Sequence, residues 1–316
     1  MTSAPRILVA DPLSQNGLDL LREQLNVIVA ADRDALQEKI GQSDALVVRS
    51  RTRVTAQLLE QAPDLQLVAR AGIGVDNVDV EAATERGILV INAPLGNVRS
   101  TAEHTVALIF ALARRVVAAD QAVRNGTWKA GYEGMQLAGK RLGVIGVGKV
   151  GSVVAHLGAA LGMEVVCHDP YLPGEMWVTL ELHQMDLHEL LQTADVITLH
   201  VPLMAETRGM IGAGELAQMK QGSYVVNCAR GGLVDESALA EALTRGHLAG
   251  AALDVFEQEP LMDSPLLSAP NVILTPHVAA STREAQTQVA EDIAIQVLDF
   301  FNGRPVSYPV NPEVLN

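Results

Sequence analysis

The stretch LGVIGVGKVG, residues 142–151, leaves the chain little choice of fold. An apolar run leads into Gly146-x-Gly148-x-x-Gly151, and a helical pattern begins at once. A strand, a tight turn and a helix start packed into so few residues need glycine at each point. The first permits the turn, the second lets the backbone approach a pyrophosphate, and the third lets the helix lie close on the strand. The N–H groups at such a helix start favour an anion. A glycine triplet alone is weak, but Asp169 closes the next apolar run, VVCHD, roughly 20 residues on, where a ribose-binding acid is expected. Its carboxylate would accept hydrogen bonds from ribose hydroxyls and repel a 2′-phosphate. Pro170 and Tyr171 bring no positive charge to offset that, so NAD is expected rather than NADP.

Two series of short apolar runs alternate with amphipathic stretches, the pattern of parallel βαβ units. The first series comprises RILVA (6–10), DALVVRS (44–50), LQLVARAG (65–72) and GILVINAP (87–94). The second starts at the glycine loop and continues with MEVVCHDP (163–170), ADVITLHVP (194–202), GSYVVNCARGG (222–232), HLAGAALDVF (247–256) and NVILTPH (271–277). One long helix is expected from Ser100 to Asn125, with Ser100 or Thr101 as its N-cap and Gly126 ending it, and another closes the chain from Ser281. The expected fold class is α/β: two Rossmann-like, doubly wound parallel-sheet domains with a cleft between them. Residues 1–98 with 281–316 would form a discontinuous substrate domain, and 99–280 the NAD-binding domain.

The formal net charge of −14 argues against a nucleic-acid or anionic-membrane partner. The longest candidate span, TVALIFALA from Thr105, is too short for a bilayer and runs into Arg114 and Arg115. Cys167 and Cys228 have no metal-type spacing and read as small buried hydrophobes in a reducing cytoplasm; no metal is expected.

Ligands of open α/β sheets bind beyond the carboxyl ends of the strands. Arg230, after SYVVN, sits at such an end, as do His200, Asp254 and His277, and Glu259 lies in the EQEP loop after ALDVF. Singly, each is an ordinary surface or loop residue. Together they suit one reaction. A guanidinium grips a carboxylate with two hydrogen bonds, a histidine exchanges a proton near neutral pH, and a carboxylate beside it favours its protonated form. Hydride transfer from a hydroxyl-bearing carbon to nicotinamide needs this set.

The motifs VVRSRTRVT, RAGIGVDNVD, AEHTVAL, GVIGVGKVG, HVPLMAETRGMI, VNCARGGLVDE, GAALDVFEQEP and TPHVAASTREAQ run over nearly the whole chain. With them it resembles the D-isomer-specific 2-hydroxyacid dehydrogenases, and most of all their D-3-phosphoglycerate dehydrogenase branch. The resemblance implies that Arg230, Glu259 and His277 are the catalytic set. It implies that Gly146, Gly148, Lys149, Val150, Gly151, Asp169, His200, Pro202, Thr207, Cys228, Ala229 and Asp254 surround NAD. It places Arg49, Arg70, the backbone of Gly72, Ile73 and Gly74, and Asn97 and Ser100 near the substrate, with Arg51 and Arg53 rated lower. The implied reaction is oxidation of D-3-phosphoglycerate to 3-phosphohydroxypyruvate, the first step of serine biosynthesis, by a cytoplasmic homodimer joined through the nucleotide-binding domains and the helix from Ser100. The sequence ends soon after the last helix, so a C-terminal regulatory domain and serine feedback through it are not expected.

One departure stands out. In TWKAGYEGMQL, Ala130 and Gly131 replace the arginine or lysine common after this tryptophan in phosphoglycerate dehydrogenases. That keeps a hydroxypyruvate or glyoxylate reductase open as an alternative. A second alternative, of a different class, is an NAD-sensing binding module like the co-repressors that share this fold.

Overall fold

The computed structural model describes residues 4–128 and 131–315. They divide into two compact units, Met1–Asn97 with Ser281–Asn316, and Val98–Ala280. Each is a parallel sheet clothed by helices.

The first unit carries strands β1 (Arg6–Val9), β2 (Asn26–Val29), β3 (Ala45–Val48), β4 (Leu67–Arg70) and β5 (Leu89–Asn92) in the order β2-β1-β3-β4-β5. Every pair is parallel. Side chains alternate across the strand, so each strand feeds two cores. Ile7, Val9, Ala45 and Val47 join the core on one face, and Leu8, Leu46 and Val48 that on the other. β2 is absent from the expected strands: its NVIV segment lies at the sheet edge and is only partly buried, so no long apolar run marks it.

The closing helix, Arg283–Phe301, starts at Thr282, whose hydroxyl accepts from the Ala285 N–H (3.1 Å). It belongs to this unit and buries Val289, Ile293 and Val297 against the core that holds Ile7 and Val9. The segment after it is tied to β5 by side-chain amides. Asn311 accepts from the Val90 N–H (2.7 Å) and donates to the Ile88 carbonyl (3.0 Å), and Gln296 donates to the Asn92 carbonyl (2.9 Å).

The second unit carries β6 (Arg141–Ile145), β7 (Glu164–His168), β8 (Val196–Leu199), β9 (Tyr224–Asn227), β10 (Gly250–Leu253) and β11 (Val272–Leu274), ordered β11-β10-β9-β8-β6-β7. The chain moves outward from β6 to β7 and then returns to place β8 on the other side of β6. That reversal opens a crevice at the carboxyl ends of β6 and β8, the standard ligand position of a doubly wound sheet. β8 and β10 are buried along their whole length, as strands covered on both faces must be.

The helix expected to run unbroken from Ser100 to Asn125 is two helices, Val98–Ala113 and Val116–Arg124. It starts at Val98, so neither Ser100 nor Thr101 is its N-cap. Arg115 breaks it in a left-handed conformation (φ 52°). The break is supported from outside the helix. The Met135 N–H donates to the Ala113 carbonyl (2.7 Å), and the Arg115 guanidinium donates to the Gly131 carbonyl (2.7 Å) and lies 5.7 Å from the Tyr132 ring centre.

Close helix contact in the first unit fixes Gly17, in the helix Gln15–Arg22: a Cβ there would stand 2.7 Å from both Cβ and the carbonyl oxygen of Ala290. Alanine normally stabilises a helix interior over glycine by about 1 kcal/mol. Here the clash with backbone reverses the sign. Gly17→Ala is expected to destabilise its unit by about 1–3 kcal/mol and to lower its urea midpoint. Gly214→Ala, in the helix Ala213–Gln218 with nothing within 4 Å of the added Cβ, is expected to raise the midpoint of the second unit.

Candidate active site

The glycine loop follows β6 into the helix Lys149–Ala160. Gly146 turns with φ 90°, and a Cβ on it would lie 2.7 Å from the His200 carbonyl oxygen. A Cβ on Gly151 would lie 1.9 Å from the Gly146 carbonyl oxygen, so the helix start cannot carry a side chain there. Gly148, the helix N-cap, has open space where its Cβ would be. Two glycines thus serve packing and the third leaves the helix N-terminus approachable, which fits the pyrophosphate of a dinucleotide. Lys149 and Val150 form the first turn of that helix.

Asp169, just beyond β7, accepts from the Val147 N–H (2.8 Å) with one oxygen and from the Tyr171 N–H (3.0 Å) with the other. It therefore ties the glycine loop to the end of β7. A carboxylate oxygen has two lone pairs, so both oxygens keep capacity for ribose hydroxyls.

After β8, the His200 N–H donates to the Ile145 carbonyl (2.7 Å), and ring Nε2 lies 3.0 Å from the Thr198 hydroxyl. Burial holds the His200 pKa down to about 3, so the ring is neutral at ordinary pH. The Thr207 hydroxyl donates to the Pro202 carbonyl (2.7 Å) and accepts from the Met204 N–H (2.8 Å), locking the turn after the strand.

Beyond β9, Asn227 clamps the next turn. Its side chain accepts from the Ala229 N–H (3.0 Å) and donates to the Arg230 carbonyl (2.8 Å). The Arg230 guanidinium donates back to the Ala229 carbonyl (2.7 Å). Gly231 is dictated by a close approach of two loops: a Cβ there would stand 1.8 Å from the Phe256 carbonyl oxygen, in the segment after β10. Cys228 is buried, and desolvation pushes its thiol up to about 12, so it behaves as a small neutral side chain.

The loop after β11 depends on Asp254, whose side chain is 0% exposed. One oxygen accepts from the Thr275 hydroxyl (2.5 Å) and the Val278 N–H (3.0 Å), and the other from the Ala279 N–H (2.8 Å). Burial opposes its ionisation, but these bonds and His104 outweigh that and hold its pKa below the usual carboxylate range. Asp254 thereby holds the Thr275–Ala279 loop.

That loop presents His277, itself in a left-handed conformation (φ 54°). Its Nδ1 lies 2.8 Å from Glu259 Oε2, and Glu259 Oε1 accepts from the Phe256 N–H (3.1 Å). The bond to Glu259 raises the His277 pKa above that of an ordinary histidine; burial and the Arg230 charge work against it, and the charges of Glu259 and Asp254 add to it. For Glu259, burial favours the neutral acid, yet the bond and charge of His277 and the Phe256 amide keep its pKa low. A charged carboxylate and a readily protonated imidazole therefore stand together, with ring Nε2 left to exchange a proton with a ligand.

Sequence reasoning missed three supports of this arrangement. Asn227 and Thr275 act as above, and Glu236 accepts from the Glu257 N–H (2.9 Å) and the Ser264 hydroxyl (2.7 Å), pinning the loop that carries Glu259. The positions of Asn227 and Thr275 at strand ends hinted at such roles, whereas Glu236 opens the helix Glu236–Thr244.

In the first unit, Arg49 donates its N–H to Asp11 (2.6 Å) and its guanidinium to the Pro12 carbonyl (3.3 Å). The Arg70 guanidinium lies over Gly72, where a Cβ would stand 1.7 Å from Nη1. The Gly72 N–H donates to the Arg70 carbonyl (2.9 Å). Ile73 is held through its carbonyl by Asn92 (2.6 Å), and Gly74 follows it. Arg51 and Arg53 are exposed. Asn97 ends this segment of the unit, and Ser100 lies in the first turn of Val98–Ala113 in the other. Ala130 lies outside the described residues; Gly131 is exposed, with φ 64°.

Comparison with known proteins places this geometry. A D-3-phosphoglycerate dehydrogenase of Archaeoglobus fulgidus is 46% identical over 311 residues, 97% of this chain and 59% of the relative. The chain thus spans less than two thirds of that protein's length. Among solved structures, a protein of Thermus thermophilus superposes with a TM-score of 0.87 at 38% identity, over 96% of this chain and 99% of the other. The D-lactate dehydrogenase of Aquifex aeolicus, complexed with NAD and lactic acid, does so with a TM-score of 0.84 at 30% identity, over 94% and 96%. The family model for the NAD binding domain of the D-isomer specific 2-hydroxyacid dehydrogenases matches residues 106–279, more than half of the chain, and the chain belongs to that family.

Proposed function

We propose that this chain is an NAD-dependent dehydrogenase that oxidises D-3-phosphoglycerate to 3-phosphohydroxypyruvate. The observation that carries the reading is the Glu259–His277 pair at 2.8 Å, in the same unit as Arg230 and the glycine loop. The names of relatives such as that of Archaeoglobus fulgidus support the substrate.

Bound NAD supplies a hydride acceptor, held through Gly146, Gly148, Gly151 and Asp169. Everything else falls to side chains. Arg230 grips the substrate carboxylate, with its guanidinium oriented by the Ala229 carbonyl. His277 Nε2 takes the hydroxyl proton as the carbon gives up its hydride, so the alcohol becomes a ketone with charge balanced. Glu259 holds Nδ1 and stabilises the imidazolium that results. In reduction the same ring returns the proton. The first unit is proposed to contribute the substrate contacts of Arg49, Arg70, Gly72, Ile73, Gly74 and Asn97, with Ser100 from the second.

We propose further that the protein works as a homodimer in the cytoplasm. Phe110, Val116, Val117 and Val123 expose apolar surface along the two helices after residue 97, and Trp128 just beyond them, which supports self-association there. Both cysteines are buried and unpaired, which suits a reducing compartment.

A second reading, a reductase of hydroxypyruvate or glyoxylate, rests on Ala130 and Gly131 standing where a basic cluster is common. NADH formation with D-3-phosphoglycerate, measured beside D-glycerate and D-lactate, separates the two. A kcat/KM preference of about 100-fold or more for the phosphorylated acid, roughly 2.7 kcal/mol of transition-state binding, is expected. No preference, with fast reduction of hydroxypyruvate or glyoxylate, would favour the second reading.

The proton role also has a sign. Oxidation needs His277 neutral, so it strengthens as pH rises through the raised pKa; reduction needs His277 protonated and fades over the same range. Glu259→Gln removes the main cause of the upward shift. The pH midpoints of both directions are expected to move to lower pH in that variant, with a lower maximal kcat. Unmoved midpoints would remove Glu259 from this role.

A further inference from the structure

The AEHTVAL motif places His104 on the helix Val98–Ala113, and the reaction as described gives it no task. The ring is partly buried, its side chain 23% exposed. Nε2 lies 3.3 Å from the Thr275 hydroxyl oxygen and 3.5 Å from Asp254 Oδ1.

Hydrogen-bond chemistry decides the direction of these contacts. Thr275 has one hydroxyl proton, and it is committed to Asp254 Oδ1 at 2.5 Å. Toward His104 the Thr275 oxygen can therefore only accept. Asp254 is ionised and also only accepts. Both neighbours of Nε2 are acceptors, so Nε2 carries a proton whether the ring is neutral or charged.

We propose that His104 is a positioning residue for the reaction: its Nε2–H, shared between Thr275 and Asp254, holds the Thr275–Ala279 loop and with it the aim of the His277 ring. The route is continuous. His104 supplies a donor to a fully buried carboxylate. That carboxylate fixes the Val278 and Ala279 N–H groups, the residues directly after His277. The left-handed backbone of His277 needs such restraint on the chain around it, because the conformation is unfavourable for a side chain with a Cβ. Loss of the donor leaves the buried Asp254 short of a partner, and the loop it holds gives way first. This inference rests on the dehydrogenase reading only for its kinetic consequence; the hydrogen bond itself does not.

The test compares His104→Leu and His104→Met, which remove the donor, with His104→Gln, whose amide N–H reaches about as far as Nε2. Losing a hydrogen bond to a charged group corresponds to about a 10- to 100-fold effect. The donor-less variants are expected to lose kcat by about tenfold or more, with KM for NAD and NADH binding by fluorescence within about twofold of the parent. His104→Gln is expected to recover most of the loss. If Leu fails to fold, the contrast of Met with Gln decides. Unchanged kcat in Leu or Met, or an equal loss in Gln, overturns the proposal. Histidine-ring ¹⁵N spectra of the cofactor-free protein provide the second readout. The His104 signal, assigned by its absence in His104→Gln, is expected to be that of an Nε2-protonated ring; an Nδ1–H tautomer overturns it. Should the parent protein turn over no 2-hydroxy acid at all, the functional reading fails, while the tautomer still judges the bond.

Discussion

The buried carboxylate of Asp254 is the interaction on which the second unit's chemistry depends. Taking an unpartnered carboxylate out of water costs several kcal/mol, so the site exists only because donors surround it. Those donors are not distributed at random. Apart from His104, they are the Thr275 hydroxyl and the Val278 and Ala279 amides, all from the one loop that follows β11. The strand end at β10 thereby dictates the path of the loop after its neighbour. His277 is the residue that loop leaves facing outward, and Glu259 meets it from the segment after β10. A desolvated charge has been converted into geometry at an exposed histidine.

The same logic operates in the backbone around the glycine loop. Gly146 lets the loop pass against the His200 carbonyl, and Gly151 brings the helix Lys149–Ala160 onto the Gly146 carbonyl. Gly231 does the same where the turn after β9 meets the segment after β10. In each case two backbones approach closer than any side chain allows. The loops at the strand ends are therefore packed on one another rather than suspended in solvent, and the hydrogen bonds of Asn227, Thr207 and Glu236 complete their definition.

Features fixed by local chemistry were readable in the chain. The glycine triplet with Asp169 announced strand, turn and helix, and the α/β alternation announced two parallel sheets. Features set by contacts distant in sequence were not. The kink at Arg115 depends on Met135 and Gly131 arriving from elsewhere, so the run from Ser100 to Asn125 looks like one uninterrupted helix. β2 escaped notice because an edge strand half open to solvent lacks the continuous apolar run of its neighbours. At the site, Arg230, Glu259 and His277 stood out as charges at strand ends. The hold of Asp254 on the loop after β11 could be learned only from where its partners lie. The bond from the Gly72 amide to the Arg70 carbonyl is likewise invisible in the sequence.

The most direct test of this account is the ring titration of His277, followed by NMR in the cofactor-free protein, in the Asp254→Asn variant. Asparagine keeps the shape but removes the charge and sets an amide donor against the Ala279 N–H. The account predicts that the His277 midpoint falls from its raised value, because the Asp254 charge and the alignment with Glu259 are both lost, while both units remain folded and turnover drops. A His277 midpoint and a turnover that match the parent protein would contradict it, and would mean that the loop holds His277 without the buried carboxylate.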